Sequence, residues 1–282
     1  MTALLALLSA VFVGSADFLG GMTSRSANGI RVAAAVSIVG IPPALAVALI
    51  YPADRVTATD AFWASLAGIV VAVGIGCFYL GMGRGLISVV APVAAVTGAV
   101  VPVAYGLLRG ERPGPVAICG LVIAFVAVTV VSLAPSEQHP DAAGVDATVI
   151  ALAVAAGILF GLFYVTLSRA SDDAGLWPVA IERLAASIVL AVLVVAVTRG
   201  PFGGARRLAP AVVAIAVLEI AATAPLLLAL QRGPVAIASV VASLYPVTTV
   251  LLAGIVLRER LSRLQYTAVV CALVSVALVS SG

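Results

Sequence analysis

The stretch LLRGER at residues 107–112 ends an apolar run of more than twenty residues, and VLRER at residues 256–260 ends another. Glu111 and Glu259 are 148 positions apart. Arg-Gly pairs at 84–85 and 232–233 open the same two runs, again 148 positions apart. Two apolar segments that begin and end alike at one spacing indicate that the chain is an internal duplication.

The composition places this duplication in a membrane. The chain of 282 residues is 63% hydrophobic and 10% charged, with a mean hydropathy of +1.25. Ordinary soluble domains are about 45–50% apolar and about 25% charged, so this chain has too much apolar surface to bury in water. The net charge of +3 comes from scattered arginines that form no basic patch, which argues against a nucleic-acid partner.

The cysteines and the histidine give no sign of a disulfide, a metal site or a cofactor. Cys77, Cys119 and Cys271 all lie in apolar runs, and His139 stands alone in a polar stretch. The N-terminal MTALLALLSA has no basic residue before its apolar part. We therefore expect a retained first helix rather than a cleaved signal peptide.

Ten apolar segments follow one another, each about 17–23 residues long, which is the length an α-helix needs to cross a hydrocarbon core of about 30 Å. Short connections rich in Gly, Pro and charge separate them. We predict an all-α integral membrane protein with ten transmembrane helices, at 2–22, 31–51, 62–82, 86–108, 115–133, 147–168, 178–198, 209–230, 234–257 and 264–281.

The ten predicted helices divide into two repeats of five. Residues 1–134 form the first repeat, residues 147–282 the second, and the acidic, proline-containing stretch 135–146 the linker. Gly14 and Gly161 occupy similar places in spans one and six. Because five is odd, the second repeat enters the membrane from the opposite side. The halves are predicted to be inverted repeats related by an axis in the membrane plane.

These features resemble a known family. The five-plus-five duplication, FVGSADFLGG at 12–21 and the Arg-Gly…Glu-Arg pattern of spans four and nine are similar to the drug/metabolite transporter superfamily, in particular its ten-helix EamA-type exporters. The resemblance covers nearly the whole chain. It implies a carrier of amino acids, nucleobases, sugars, amines or drugs, often in exchange for protons. PVAIERLAA at 178–186 is similar to the family's Pro-then-Arg pattern, although the first half has no match for Arg183.

Two acidic residues lie well inside predicted spans, Asp17 in the first and Glu219 in the eighth. A charge near the bilayer centre costs at least about 2.5–3.5 kcal/mol, so it normally faces a cavity or a partner. Burial disfavours the charged form of a carboxyl group, which suits a group that loads and releases a proton. The resemblance adds that the four-helix members keep a carboxylate in their first helix. We predict that Asp17 and Glu219 bind substrate or couple protons; the alternative is a structural carboxylate paired with Arg or Ser.

Polar and aromatic residues within the spans are candidates for lining a cavity between the halves: Phe18, Tyr79, Thr97, Tyr105, Tyr164, Arg183, Gln231, Ser243 and Tyr245. Prolines predict interruptions of spans four, eight and nine, at Pro92, Pro102, Pro225 and Pro246. Glu111 and Glu259 stand beside arginines at span ends, where we predict interfacial ion clusters, with gating as the alternative.

A secondary active transporter that exports a small polar, cationic or zwitterionic metabolite, with proton coupling, accounts best for these features. The alternatives are an uptake permease for a sugar or an amine and a flippase for a lipid-linked sugar. No catalytic cluster stands on a long loop, so an enzyme is not expected. The expected partners are membrane lipid, the substrate and protons, and the expected state is a monomer, because one chain holds both halves.

The predicted location is the cell membrane, which the chain crosses many times. Assigning the connections to alternate sides puts nine arginines on one side and six on the other, which favours an N-terminus outside the cell. The resemblance implies instead that both termini are cytoplasmic, and we adopt that orientation.

Overall fold

The structure is a computed structural model that describes residues 1–24, 28–51, 53–84, 87–133, 147–197, 205–256 and 263–281. Within these residues the regular structure is helical. The helices are α1 (Thr2–Ser24), α2 (Gly29–Val39), α3 (Ile41–Ile50), α4 (Ala58–Arg84), α5 (Ile87–Leu108), α6 (Pro115–Leu133), α7 (Ala147–Leu167), α8 (Trp177–Val197), α9 (Ala205–Arg232), α10 (Val235–Ala242), α11 (Tyr245–Val256) and α12 (Arg263–Ser281). A 3₁₀ turn at Asp172–Ala174 precedes α8.

The predicted all-α membrane class is confirmed. Seven helical segments of the described chain are long and apolar enough to cross a membrane: Thr2–Thr23, Gly29–Ile50, Ala58–Gly81, Ala147–Leu167, Trp177–Val197, Leu208–Arg232 and Val235–Val256. Shorter apolar helices at Val93–Leu108, Pro115–Val130 and Tyr266–Val279 cover the other three predicted spans. The number of ten crossings stays a prediction. The predicted linker 135–146 and Glu259 lie outside the described residues.

Two predicted spans are each built from two helices. The second span breaks at Gly40, between α2 and α3, and the ninth breaks at Ser243–Leu244, between α10 and α11. A proline follows in the first turn of the next helix in both cases, at Pro42 and at Pro246. Proline is tolerated there because the first N–H groups of a helix have no intrahelical partner. The break at Gly40 was not predicted from the sequence.

The interruptions predicted in spans four and eight are wrong. Helix α5 runs through Pro92 and Pro102, and α9 runs through Pro225, without ending. An interior proline removes one backbone hydrogen bond, whereas a helix that ends in lipid leaves up to four carbonyl groups without partners. Continuing the helix is therefore the less costly solution.

The first helix of each repeat packs mainly on helices of the other repeat. Helix α1 packs on α9, α10 and α11, while α7 packs on α4 and α5. Glycine allows both close approaches. A Cβ on Gly14 would collide with the backbone oxygen of Tyr245, and a Cβ on Gly161 would come 2.7 Å from the backbone oxygen of Gly98. The repeats are thus interlocked rather than placed side by side.

Helices α6 and α12, which end the two repeats, pack on each other. The small residues that the sequence offers for close approach lie buried here: Ala117, Ala124, Ala268, Ala272 and Ser275. A Cβ on Gly120 would come 3.0 Å from the backbone oxygen of Ser275. These residues therefore pack two helices of one chain together.

The repeats also meet at one end of the molecule, here called the N-terminal end. It comprises Thr2, Tyr51 and residues 53–60, 105–111, 168–175 and 231–236. Helix α1 begins here, with Thr2 against Gly233. Helix α7 ends here, because Gln231 Nε2 donates to the backbone oxygen of Ser171 at 2.8 Å. The equivalent helices α1 and α7 therefore run in opposite directions, as inverted repeats require.

Glu111 joins the two repeats at the N-terminal end. Its Oε1 accepts the N–H of Val235 at 2.7 Å and its Oε2 accepts the N–H of Ala236 at 3.0 Å. The ion cluster predicted for Glu111 is not what the structure shows, since Arg109 and Arg112 form no ion pair among the described residues. The carboxylate caps α10 instead, because Pro234 precedes that helix and offers no side-chain acceptor.

Replacing Gly161 by Ala tests the interlocked packing. We expect the thermal unfolding midpoint of the detergent-purified protein to fall, corresponding to about 1–3 kcal/mol of overpacking. Gly20→Ala is the matched control, because a Cβ there meets nothing within 4 Å. Equal midpoints for the two variants would contradict the packing of α7 on α5.

Candidate functional site

An ion pair inside the bundle links α8 to α9. Arg183 Nη1 donates to Glu219 Oε2 at 2.7 Å. Arg183 is only 7% exposed, whereas the side chain of Glu219 is 36% exposed. The pair is therefore sealed on the arginine side and open on the glutamate side.

Helices α2 and α3 hold the arginine side of this pair. Ser187 Oγ donates to the backbone oxygen of Arg183 at 2.7 Å and lies 3.0 Å from the hydroxyl of Ser37 in α2. A Cβ on Gly40 would come 3.3 Å from Arg183 Cδ. The break between α2 and α3 thus lies directly against the aliphatic part of the Arg183 side chain. These contacts hold α8 against α2 and α3.

Glu182 is a second buried acid of α8. It is 3% exposed, and its charge acts on both Arg183 and Glu219. Among the described residues, neither Glu182 Oε2 nor Arg183 Nε has a hydrogen-bond partner. Unpaired buried polar atoms are costly and call for an explanation. One donor of Arg183 and one acceptor of Glu182 are thus buried without a hydrogen bond among the described residues.

Asp17 lies opposite this pair, on α1. Its charge acts on Glu219, and its side chain is exposed. No ion pair of Asp17 is found in the described chain. Gly20 and Gly21, one turn along α1, leave room beside it, since a Cβ on either would meet nothing within 4 Å.

The break between α10 and α11 brings polar groups to the same region. The side chain of Tyr164 in α7 lies near that of Ser243, whose Oγ donates to the backbone oxygen of Ser239 at 2.8 Å. The charge of Asp17 acts on both Tyr164 and Tyr245. Both tyrosines are partly exposed. Helices of both repeats therefore contribute to one site.

We call this group of residues the central cluster: Asp17, Tyr164, Glu182, Arg183, Glu219, Ser243 and Tyr245. It holds three carboxyl groups and one guanidinium within a low-dielectric surround. Such a site favours a ligand that carries a positive group.

Comparison with known proteins agrees with this architecture. The model of the EamA-like transporter family matches residues 1–133 and, separately, residues 147–281. The chain belongs to the EamA-like transporter family. A solved structure described as "Crystal structure of protein" is similar to this chain, with a TM-score of 0.77 and 18% sequence identity. The match covers 98% of this chain and 95% of the other chain. That likeness supports the fold alone. None of the curated proteins compared with the chain matches it.

Membership of the EamA-like family makes the chain a membrane transporter of small molecules, and the match in two halves confirms the duplication. The family match does not itself assign roles to residues. The roles of the central cluster in this family member stay proposals that rest on the geometry given above.

Five of the predicted cavity residues show contacts or burial that do not tie them to the central cluster. Phe18 is buried in the core, Tyr79 packs on Gly29, and the hydroxyl of Thr97 donates to the backbone oxygen of Val93 at 2.7 Å. Tyr105 and Gln231 lie at the N-terminal end, bonded to Arg169 and to the backbone of Ser171. The structure thus brings together Asp17, Glu219, Tyr164, Arg183, Ser243 and Tyr245, but not these five.

Glu182 is the member of the cluster that the sequence prediction omitted. Glu182 stands near the start of the seventh predicted span, where a charge can also belong to a helix end. The rule that selected Asp17, that a charge within a span needs a partner or a cavity, applies equally to Glu182. Its signal is the adjacent Glu-Arg pair inside an apolar helix.

A double-mutant cycle on Arg183→Gln and Glu219→Gln tests the ion pair. Losing one partner of a fully buried pair costs about 3–5 kcal/mol. We expect about 1–3 kcal/mol for each variant, because the exposure of Glu219 screens its charge. The readout is the thermal unfolding midpoint in detergent, where the double variant should lose less than the sum of the two. Strict additivity would contradict the pair. Asp173→Asn, which removes an exposed carboxylate, is the control.

Proposed function

We propose that this chain is a secondary active transporter that exports a small zwitterionic or cationic metabolite in exchange for protons. The observation that carries the proposal is Asp17, an exposed carboxylate of the first helix that has no ion-pair partner in the described chain and whose charge acts on Glu219 of the Arg183–Glu219 pair.

The charges of the central cluster support the substrate class. Arg183, a cavity candidate already in the sequence, neutralises Glu219. Asp17 is then the carboxylate left to receive a positive group of the substrate. The Nε of Arg183 is buried without a hydrogen bond among the described residues, so it is not an accessible partner for an anionic group. A cation, or the positive end of a zwitterion, is the group that Asp17 would bind.

Proton coupling follows from the same residue. A carboxylate that binds a cationic substrate cannot hold a proton on the same oxygen at the same time, so the two ligands compete for Asp17. Competition at one site exposed alternately to two sides is sufficient for exchange. Glu219 lies close enough for its charge to influence Asp17, so the state of the ion pair modulates that competition.

The orientation and the oligomeric state belong to this proposal. We place both termini in the cytoplasm, which can be checked by the accessibility of an engineered cysteine at residue 2 to an impermeant reagent. We propose a functional monomer, because the central cluster draws on both repeats of one chain. Loss of transport at one copy per liposome would contradict the monomer.

Neutralising Asp17 tests the proposed function. A thermal-shift screen of metabolites with the purified protein first identifies a ligand, and proteoliposomes then measure its transport under a pH gradient. Asp17→Asn should abolish gradient-driven transport while leaving the unfolding midpoint near that of the unmodified protein. Glu219→Gln should weaken binding or coupling.

The control in this experiment is Asp173→Asn, an exposed carboxylate outside the cluster. Unchanged gradient-driven transport in both Asp17→Asn and Glu219→Gln would remove the coupling role and leave these residues as structural. A screen in which only lipid-linked sugars stabilise the protein would indicate a flippase.

A further inference from the structure

The cap that Glu111 places on α10 is built by several features of the sequence. Gly110 has a φ of +87°, a conformation that glycine adopts readily. The N–H of Glu111 donates back to the backbone oxygen of Gly106 at 3.0 Å. A Cβ on Gly106 would collide with the Glu111 carboxylate. The chain therefore turns back over the end of α5, and the absent side chain at residue 106 leaves space for the carboxylate.

The capped helix needs this partner. Pro234 at its N-cap makes no side-chain hydrogen bond to the helix. The two residues whose N–H groups Glu111 accepts are buried, Val235 at 9% and Ala236 at 0% exposure. Water therefore cannot readily take the place of the carboxylate as acceptor for these two N–H groups. The negative charge also lies at the positive end of the helix dipole, which strengthens both hydrogen bonds.

The short helix α10 connects the cap to the central cluster. Helix α10 has eight residues and is about 12 Å long at 1.5 Å per residue. Its far end is Ser243, in the break that also positions Tyr245. Whatever fixes the start of α10 therefore fixes where the break lies relative to Tyr164 and Asp17.

The other bonds between the repeats at the N-terminal end differ in kind. Arg232 Nη2 donates to the Tyr51 hydroxyl at 3.0 Å and Arg169 Nη1 to the Tyr105 hydroxyl at 3.4 Å, both at exposed positions. Asp60 accepts the N–H of Ser171 at 2.8 Å, but this acceptor is on α4, away from the broken helix. Glu111 is the acceptor that holds a helix entering the central cluster.

We propose that Glu111 is the positioning residue of the transport path, whose cap on α10 closes the N-terminal end around the central cluster and breaks once in each transport cycle. This inference rests on the proposed function, because a carrier must open each end in turn. The contacts that join the repeats at one end have to be released for that end to open.

The first experiment measures how often the N-terminal end opens, and it needs no substrate. Cys77, Cys119 and Cys271 are replaced by Ala, and Ser239→Cys places a reporter in the buried part of α10. An impermeant maleimide labels the reporter from the side of the N-terminal end. Glu111→Gln should raise the labelling rate about tenfold, the order expected when a charge-assisted bond is lost.

The matched control is Asp172→Asn, which removes an exposed carboxylate from the same end and should leave the labelling rate unchanged. A Glu111→Gln variant that is monodisperse and labels at the rate of the parent protein would overturn the proposal. Because no transported molecule enters the measurement, this result is independent of whether the proposed substrate class is right.

A second experiment keeps Glu111 and covers the case in which Glu111→Gln does not fold. A Cβ on Gly233 would lie 2.9 Å from the Cβ of Thr2, so the two residues are adjacent, and a disulfide between them requires that they separate by roughly 0.9 Å to reach the roughly 3.8 Å between its Cβ atoms. Thr2→Cys with Gly233→Cys, in the background without native cysteines, can therefore lock the N-terminal end. Oxidation should slow hydrogen exchange of the amides at residues 235 and 236 about tenfold or more. Equal exchange in the oxidised and reduced protein would show a static cap and overturn the proposal.

Discussion

Lipid offers no hydrogen bonds to a polypeptide, and this constraint governs how the chain uses its broken helices. Each break must be supplied from within the protein. At the start of α10 the donors are satisfied by Glu111 from the other repeat. At its end the N–H of Ser243 donates to the backbone oxygen of Ser239 and the N–H of Leu244 to that of Val241. The broken helix thus meets its hydrogen-bond requirement with a carboxylate of the opposite repeat and with its own backbone.

The same constraint explains where the charges lie. Arg183 is buried beside the second break, at Gly40, where the absence of a side chain admits its stem. Its charge is balanced by Glu219 on a neighbouring helix. Asp17 has no such partner in the described chain, but its side chain is exposed, so that water or a ligand can reach it. Burial with a partner and access to water are the two ways in which a charge is tolerated at this depth.

The sequence was sufficient to predict the features that show as a repeated spacing or as a run of apolar residues. Apolar run lengths located the helices, and the spacing of Glu111 and Glu259 revealed the duplication. The rule on charges within spans found Asp17 and Glu219. Three-dimensional neighbours were harder to predict. Arg183 stands near the start of its helix, so nothing in the sequence shows that it reaches Glu219, 36 residues away. Tyr105 and Gln231 are as polar as Tyr164 and Ser243, and only the packing of the helices separates those at the end from those at the centre.

The interlocking of the repeats has a consequence for how the protein is made. Helix α1 packs chiefly on α9, which begins about 180 residues after α1 ends. At a synthesis rate of 5–20 residues per second, α1 waits about 10–40 s in the membrane before its main partner exists. During that interval the carboxylate of Asp17 has neither Glu219 nor the tyrosines of the later helices around it. The first repeat therefore does not mature as an independent unit, and final assembly depends on the last-made helices reaching back to the first.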